Sequence, residues 1–215
     1  KCSLIIPNEI KSIEDNTFNG CSGIYGSLTF PNSIEYIGYG AFWSCSGFTG
    51  ELTIPNTINI VSDNVFNGCL GFTGSLTIPD PIKSIGVGSF SGCTGLNGRL
   101  AISNSVSSIQ SNAFKDCFGL NGQLILPDLI EHIDYSSFYG CSGLSGTLTI
   151  PKKVSSIESN AFKGCSGFSV SLTIPNKVTY IGNNAFDGCS GFSGTLNISN
   201  SVRSIQPAVF QGCSG

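Results

Sequence analysis

Methionine is absent from this 215-residue chain, histidine and tryptophan occur once each, and Asp, Glu, Lys and Arg together make up only 11% of it. Each scarcity closes off a class of function. With a single histidine, His132, and no motif that sets a base beside a nucleophile, no catalytic residue is expected. No Lys/Arg-rich run occurs and the formal net charge is −3, which argues against a nucleic-acid footprint. No apolar stretch approaches the roughly 18 residues that cross a bilayer, and no basic, then apolar, leader opens the chain. An EF-hand-type D-x-D-x-D-G loop and a His/Cys ligand set are also missing, so neither metal nor cofactor is expected. Lacking methionine, starting inside one repeat and stopping inside another, the chain is expected to be a segment of a longer polypeptide, with any targeting signal outside it.

Cysteine, by contrast, is abundant and placed with regularity. Cys21, Cys45, Cys69, Cys93, Cys117, Cys141, Cys165, Cys189 and Cys213 fall 24 residues apart, and only Cys2 lies out of step. A fixed period of this size marks a solenoid, whose units cannot bury an apolar face alone and must stack. Aligned on leucine, nine units begin near Leu4, Leu28, Leu52, Leu76, Leu100, Leu124, Leu148, Leu172 and Leu196, the last incomplete. Each approximates L-T-I-P-N-S-V-x-S-I-G-x-N-A-F-x-G-C-S-G-F-x-G-S. Residues 1–215 are therefore expected to form one elongated domain without a linker.

Within a unit, Leu52-Thr53-Ile54 alternates with the period of a strand and Pro55 ends the run, because proline cannot donate to a ladder. Equal strands from successive units should pair in register about 4.8 Å apart. Val106, Ile109, Ala113, Phe114, Cys117 and Leu120 return to the interior, and the phenylalanine that recurs from Phe18 to Phe210 should form a continuous stack. The connecting segments are rich in Ser, Asn and Gly with no sustained helical period, so little or no helix is expected. Glycine in the second position after each of these cysteines, Gly23 to Gly215, implies either a positive φ or a close approach between coils. Stacked cysteines would hold their Cβ atoms about 4.8 Å apart, wider than a disulfide prefers, so buried free thiols acting as small apolar wedges are expected and no disulfide.

The L-x-I-P, V-x-x-I, A-F and C-x-x-L/F elements, recurring at fixed offsets over nearly the whole chain, resemble those of BspA-like, or treponemal-type, leucine-rich repeats. That resemblance implies a mainly β leucine-rich-repeat solenoid with short parallel strands on its concave face. It also implies a microbial cell-surface or extracellular protein without catalytic activity, adhering to host or matrix proteins such as fibronectin or fibrinogen, or to glycans.

Candidate binding residues lie in the outward columns. Thr29, Thr53, Thr77, Thr149 and Thr173 form one column, beside which stand Glu51 and Arg99. The threonines keep a sheet soluble or present a hydroxyl-rich docking platform; a row of threonines is also a feature of ice-binding repeats, although Ala101, Ile125 and Asn197 interrupt this one. Two units carry aromatics at identical offsets: Tyr36, Tyr39 and Trp43 in one, and His132, Tyr135 and Tyr139 four units later. Exposed aromatics offer contact area at little entropic cost, so these two patches are candidate protein or glycan anchors, unless their tips only cover neighbouring coils. A structural spacer that stacks end to end on further copies is the alternative to a recognition scaffold.

Overall fold

The computed structural model describes residues 2–215, and over that length the chain is a β-solenoid of stacked 24-residue coils containing no helix. Alternation dictates the inside. Leu76, Thr77 and Ile78 are buried, exposed and buried, and Val106, Ala113, Phe114, Cys117 and Leu120 all lie fully inside. One continuous core from Ile13 to Val209 results. The phenylalanines run through it as expected: from Phe18 to Phe210, successive rings stack at 5.2–5.7 Å with interplanar angles of 4–19°. A shorter second file, including Phe48 and Phe72, meets the first edge-on.

Strand pairing departs from the sequence expectation. The regular parallel strands are two-residue pieces in the V-x-S-I segment, Ser12–Ile13, Tyr36–Ile37, Ile60–Val61, Ser84–Ile85, Ser108–Ile109, His132–Ile133, Ser156–Ile157 and Tyr180–Ile181. They pair 24 residues apart, with breaks after Ile37 and Ile109. At the first break the Ser62 hydroxyl donates to Ile37 O, the position at which backbone amides such as Gly86 N donate to the preceding coil elsewhere. The L-T-I segments pair over two or three residues at only two steps, Leu76–Ile78 with Leu100–Ile102 and Leu172–Thr173 with Leu196–Asn197.

Proline explains the intermittence. At those two steps the following coil carries Ser103 or Ser199 where the other units have proline. The Ser103 amide donates to Ile78 O at 3.1 Å, a bond that proline cannot make. Where Pro55, Pro127, Pro151 or Pro175 follows, no L-T-I ladder forms among the described residues. The coils hold together instead at the opposite corner, where Asn112, Phe114 and Asp116 amides donate to Tyr135, Ser137 and Tyr139 carbonyls of the next coil at 2.7–2.9 Å.

The cysteine column has a role that its apolar surroundings hide. Each thiol from Cys45 to Cys213 donates to the carbonyl of the phenylalanine in the preceding coil, Cys117 to Phe90 O at 3.0 Å for example. That carbonyl already accepts an amide from its own coil, as Phe90 O does from Cys93 N at 3.1 Å, so the thiol occupies its second lone pair. Cysteine is thus a wedge and also an inter-coil donor. Glycine two residues on resolves to close approach rather than unusual φ: a Cβ at Gly119 would lie 2.4 Å from Leu96 O, and one at Gly47 2.1 Å from Ile24 O. Positive φ belongs instead to the Asn16, Asn64, Asn112 column, to residues just before cysteine, where Ser44 and Asp116 share it with Gly68, and to the Gly26, Gly50, Gly74 column, where Val170 adopts it too.

Two outcomes follow from these bonds. Pro175→Ser is expected to extend the ladder between residues 148–150 and 172–174, read as hydrogen-exchange protection of the amide introduced at position 175; a freely exchanging amide there would contradict the role given to proline. The thiols set an alkaline limit. Burial pushes Cys45 up to about 11 and Cys117 to about 12, and raises the others from Cys69 to Cys213 as well. Neutral thiols favour the fold, so this stability is fully present below about pH 9 and lost as pH rises, by ~1.4 kcal/mol per pH unit for each thiol that ionises only in the unfolded chain. Thermal melts should hold level from about pH 7 to 8.5 and fall steeply above about 9; a Tm unchanged at about pH 10.5 would refute the account.

Candidate functional site

The outward columns are built by the same alternation that fills the core. Thr53, Thr77, Thr149 and Thr173 each stand exposed between buried neighbours, Thr29 stands exposed between buried Leu28 and half-buried Phe30, and Glu51 and Arg99 are exposed beside them. Thr53 and Thr77 are bridged directly. The column is not a continuous lattice, because its ladder opens at the proline-bearing coils.

The first aromatic patch is a joined cluster. Tyr39 and Trp43 meet edge to face, centroids 6.3 Å apart, and the Tyr36 hydroxyl donates to Asp15 Oδ1 at 3.2 Å. The same carboxylate oxygen accepts the Tyr39 backbone amide at 2.8 Å, as Asp63 accepts that of Val87 two coils on, so the tyrosine side chain that Asp15 holds is that of Tyr36. Burial, and then the Asp15 charge, raise the Tyr36 hydroxyl above its ordinary pKa, keeping it a donor. Lys11 and Glu35 form an exposed salt bridge at 3.2 Å alongside.

The second patch is arranged differently. Lys115 Nζ sits over the Tyr139 ring, 5.4 Å from its centroid, and Lys163 in the next coil bridges to Asp187 at 2.9 Å. His132 Nδ1 lies 2.9 Å from Ser156 Oγ, its partner in the parallel ladder. Asp134 is half-buried, and burial raises its carboxyl despite the opposing influence of His132. Between this strand and Ser108–Ile109 the ladder is broken, leaving a cleft of about 370 Å³. Tyr36, Tyr39 and Tyr135 are 40–49% exposed, whereas Trp43 and Tyr139 are half-buried and lie partly against neighbouring coils. The two patches stay apart, four coils and about 20 Å by strand spacing.

Sequence reasoning passed over the grooves left where the L-T-I ladder fails. The larger, about 940 Å³, runs between residues 147–153 and 171–177; a second of about 450 Å³ lies between residues 27–32 and 51–57. Among the described residues no group of three or more His, Cys, Asp or Glu side chains could hold a metal ion, and no helix is long and apolar enough to cross a membrane.

Comparison with known proteins agrees with this architecture. A family model described as a BspA type leucine rich repeat region matches in six copies, over residues 2–121, 72–190 and 143–215. Among solved structures, a leucine rich cell surface protein from Faecalibacterium prausnitzii superposes with a TM-score of 0.68 at 24% identity, covering 99% of this chain and 64% of that one. A leucine-rich repeat protein from Bacteroides ovatus gives 0.63 at 22%, covering 99% and 73%, and one from T. pallidum gives 0.64 at 23%, covering 87% and 76%. At these identities the likeness is one of fold, and the chain spans less than two thirds of the length of the F. prausnitzii protein. No curated protein sequence matches the chain.

Proposed function

Because the chain belongs to the BspA-type leucine-rich repeat family, we propose that it is a non-catalytic recognition scaffold displayed outside a microbial cell, binding host or matrix proteins through its outward columns. The observation that carries this is the Asp15–Tyr36–Tyr39–Trp43 cluster: the Tyr36 hydroxyl is tied to Asp15 of the preceding coil and the Tyr39 ring meets Trp43, while both tyrosines remain 40–46% exposed. Tyr135 is equally exposed on the second patch, so a ligand that spans about 20 Å meets two anchors. The cell-surface neighbour from F. prausnitzii supports the location by analogy of fold. Affinity in such an array comes from several modest contacts on one rigid body, which lose little entropy on binding.

The test is a binding screen of the whole chain against immobilised fibronectin, fibrinogen and other matrix proteins. Replacing Tyr36, Tyr39 and Tyr135 by serine is expected to weaken capture by about tenfold or more, since exposed aromatic anchors are worth 1 kcal/mol or more each at interfaces. Their exposure predicts a Tm shift of only a few degrees. Trp43→Ser is expected to lower Tm further, because half of that side chain packs on the coils. Unaltered capture by the triple variant would remove the tyrosines from the interface.

A further inference from the structure

The larger groove holds the one step at which two basic residues stand in the same column of successive coils. Lys152, Lys153 and Lys177 all line it, three of the ten basic residues of a chain with net charge −3, and Asp128 is the one carboxylate among its lining residues. Lys153 and Lys177 occupy the same column one coil apart. Elsewhere one coil apart, Lys11 pairs with Glu35 and Lys163 with Asp187, the two salt bridges among the described residues, and the other like-charged step is acidic, Asp134 with Glu158. Lysines at the same position of successive coils have backbones about 5 Å apart, and like charges placed opposite one another are mildly destabilising. The second groove has the same form between its coils but holds Glu51 and no lysine, so the cations are not required by the groove itself.

We propose that the groove between residues 147–153 and 171–177 binds an anionic polysaccharide, one bearing sulfate or carboxylate groups along its chain. The ammonium groups line one part of it, and the hydroxyls of Thr147, Thr149, Ser171 and Thr173, all exposed, line the rest. Hydroxyls both donate and accept, as sugar hydroxyls do, and the lysines supply point charges for the acidic substituents. Of the apolar lining, Leu148, Ile150, Pro151 and Ile174 are buried and Pro175 is half-buried, so the fully exposed side chains of the groove are polar. An acidic peptide cannot enter as an added strand. The same two coils are bonded at Ser156–Ile157 with Tyr180–Ile181, and Phe162 N donates to Ala185 O at 2.8 Å, which fixes their separation at one coil spacing. A volume of about 940 Å³ is within the range of small-ligand sites, ~300–1,000 Å³.

This assignment deepens the reading of an extracellular recognition scaffold by naming a ligand class and a place, at residues distinct from the tyrosines. The test measures binding of a sulfated heparin octasaccharide to the whole chain at about 50 mM and about 300 mM salt, with neutral dextran and polyglutamate as comparison probes. The octasaccharide is expected to bind at low salt and weaken at high salt, and dextran not to bind. Lys153→Gln with Lys177→Gln should reduce its affinity about fivefold or more, while the charge-matched pair Lys83→Gln with Arg203→Gln, outside the groove, should change it less than about twofold. The groove variant is also expected to melt no lower than the original chain, since a like-charge contact is relieved. No binding at low salt, equal losses in the two variants, or equally tight polyglutamate binding with the same variant response would each overturn the assignment. Matrix-protein capture measured on the groove variant separates the two proposals: it is expected to survive there and to fail only in the tyrosine variant.

Discussion

No coil of this molecule can satisfy its own backbone. Amides of the N-A-F-x-G-C corner donate forward to the next coil, thiols donate back to the previous one, and the V-x-S-I strands exchange bonds in both directions. Since every donor finds its acceptor at a constant offset, a unit one residue longer or shorter would misplace the whole set at once. The 24-residue period is therefore enforced by hydrogen bonding as much as by apolar burial. The phenylalanine stack depends on this register, because its 5.2–5.7 Å ring spacing is inherited from the backbone rise between coils.

Much of the fold was legible because identical side chains in identical positions must share one environment. Phe114 inside, Thr77 outside and the absence of helix all follow from periodicity, and the structure agrees with each. What escaped notice depended on single residues. The L-T-I ladder was expected throughout, yet among the described residues it closes over more than one residue only at the two steps that lead into Ser103 and Ser199, and at the first of them the Ser103 amide makes a bond to Ile78 O that proline lacks. The thiol-to-carbonyl bond left no trace in the pattern, since a buried donor and a buried apolar wedge are the same letter. Ser89 and Ser137 make the contrast plain: in the column that holds Ala113 and Ala161 their hydroxyls are buried without a partner, and nothing in their neighbours compensates them.

The candidate site was legible to a lesser degree. The repeated offsets of Tyr36, Tyr39 and Tyr135 correctly placed them on the outside, but the half-burial of Trp43 and Tyr139 comes from adjacent coils that share no motif with them. Lys115 over Tyr139 and Asp15 beneath Tyr36 are contacts across 24 or 21 residues of sequence, meaningful only once the columns are stacked. The groove was invisible for a related reason. Lys152 and Lys177 lie 25 residues apart in sequence and line one groove only once their coils are stacked.

A scaffold of this kind separates stability from specificity more cleanly than a globular domain does. Core columns are tightly constrained: a Cβ at Gly119 would lie 2.4 Å from Leu96 O, and the Cys117 thiol donates to Phe90 O at 3.0 Å. Outward columns carry no such constraint, so a tyrosine, lysine or glutamate is accepted at nearly any step without disturbing the register. Sites then arise wherever neighbouring outward residues happen to agree, at a spacing fixed by the coil rise of about 5 Å. Such sites are shallow, rigid and repeated along one direction. Ligands that fit them are extended and periodic themselves, which favours polymers, whether protein or glycan, over compact small molecules that need an enclosing pocket.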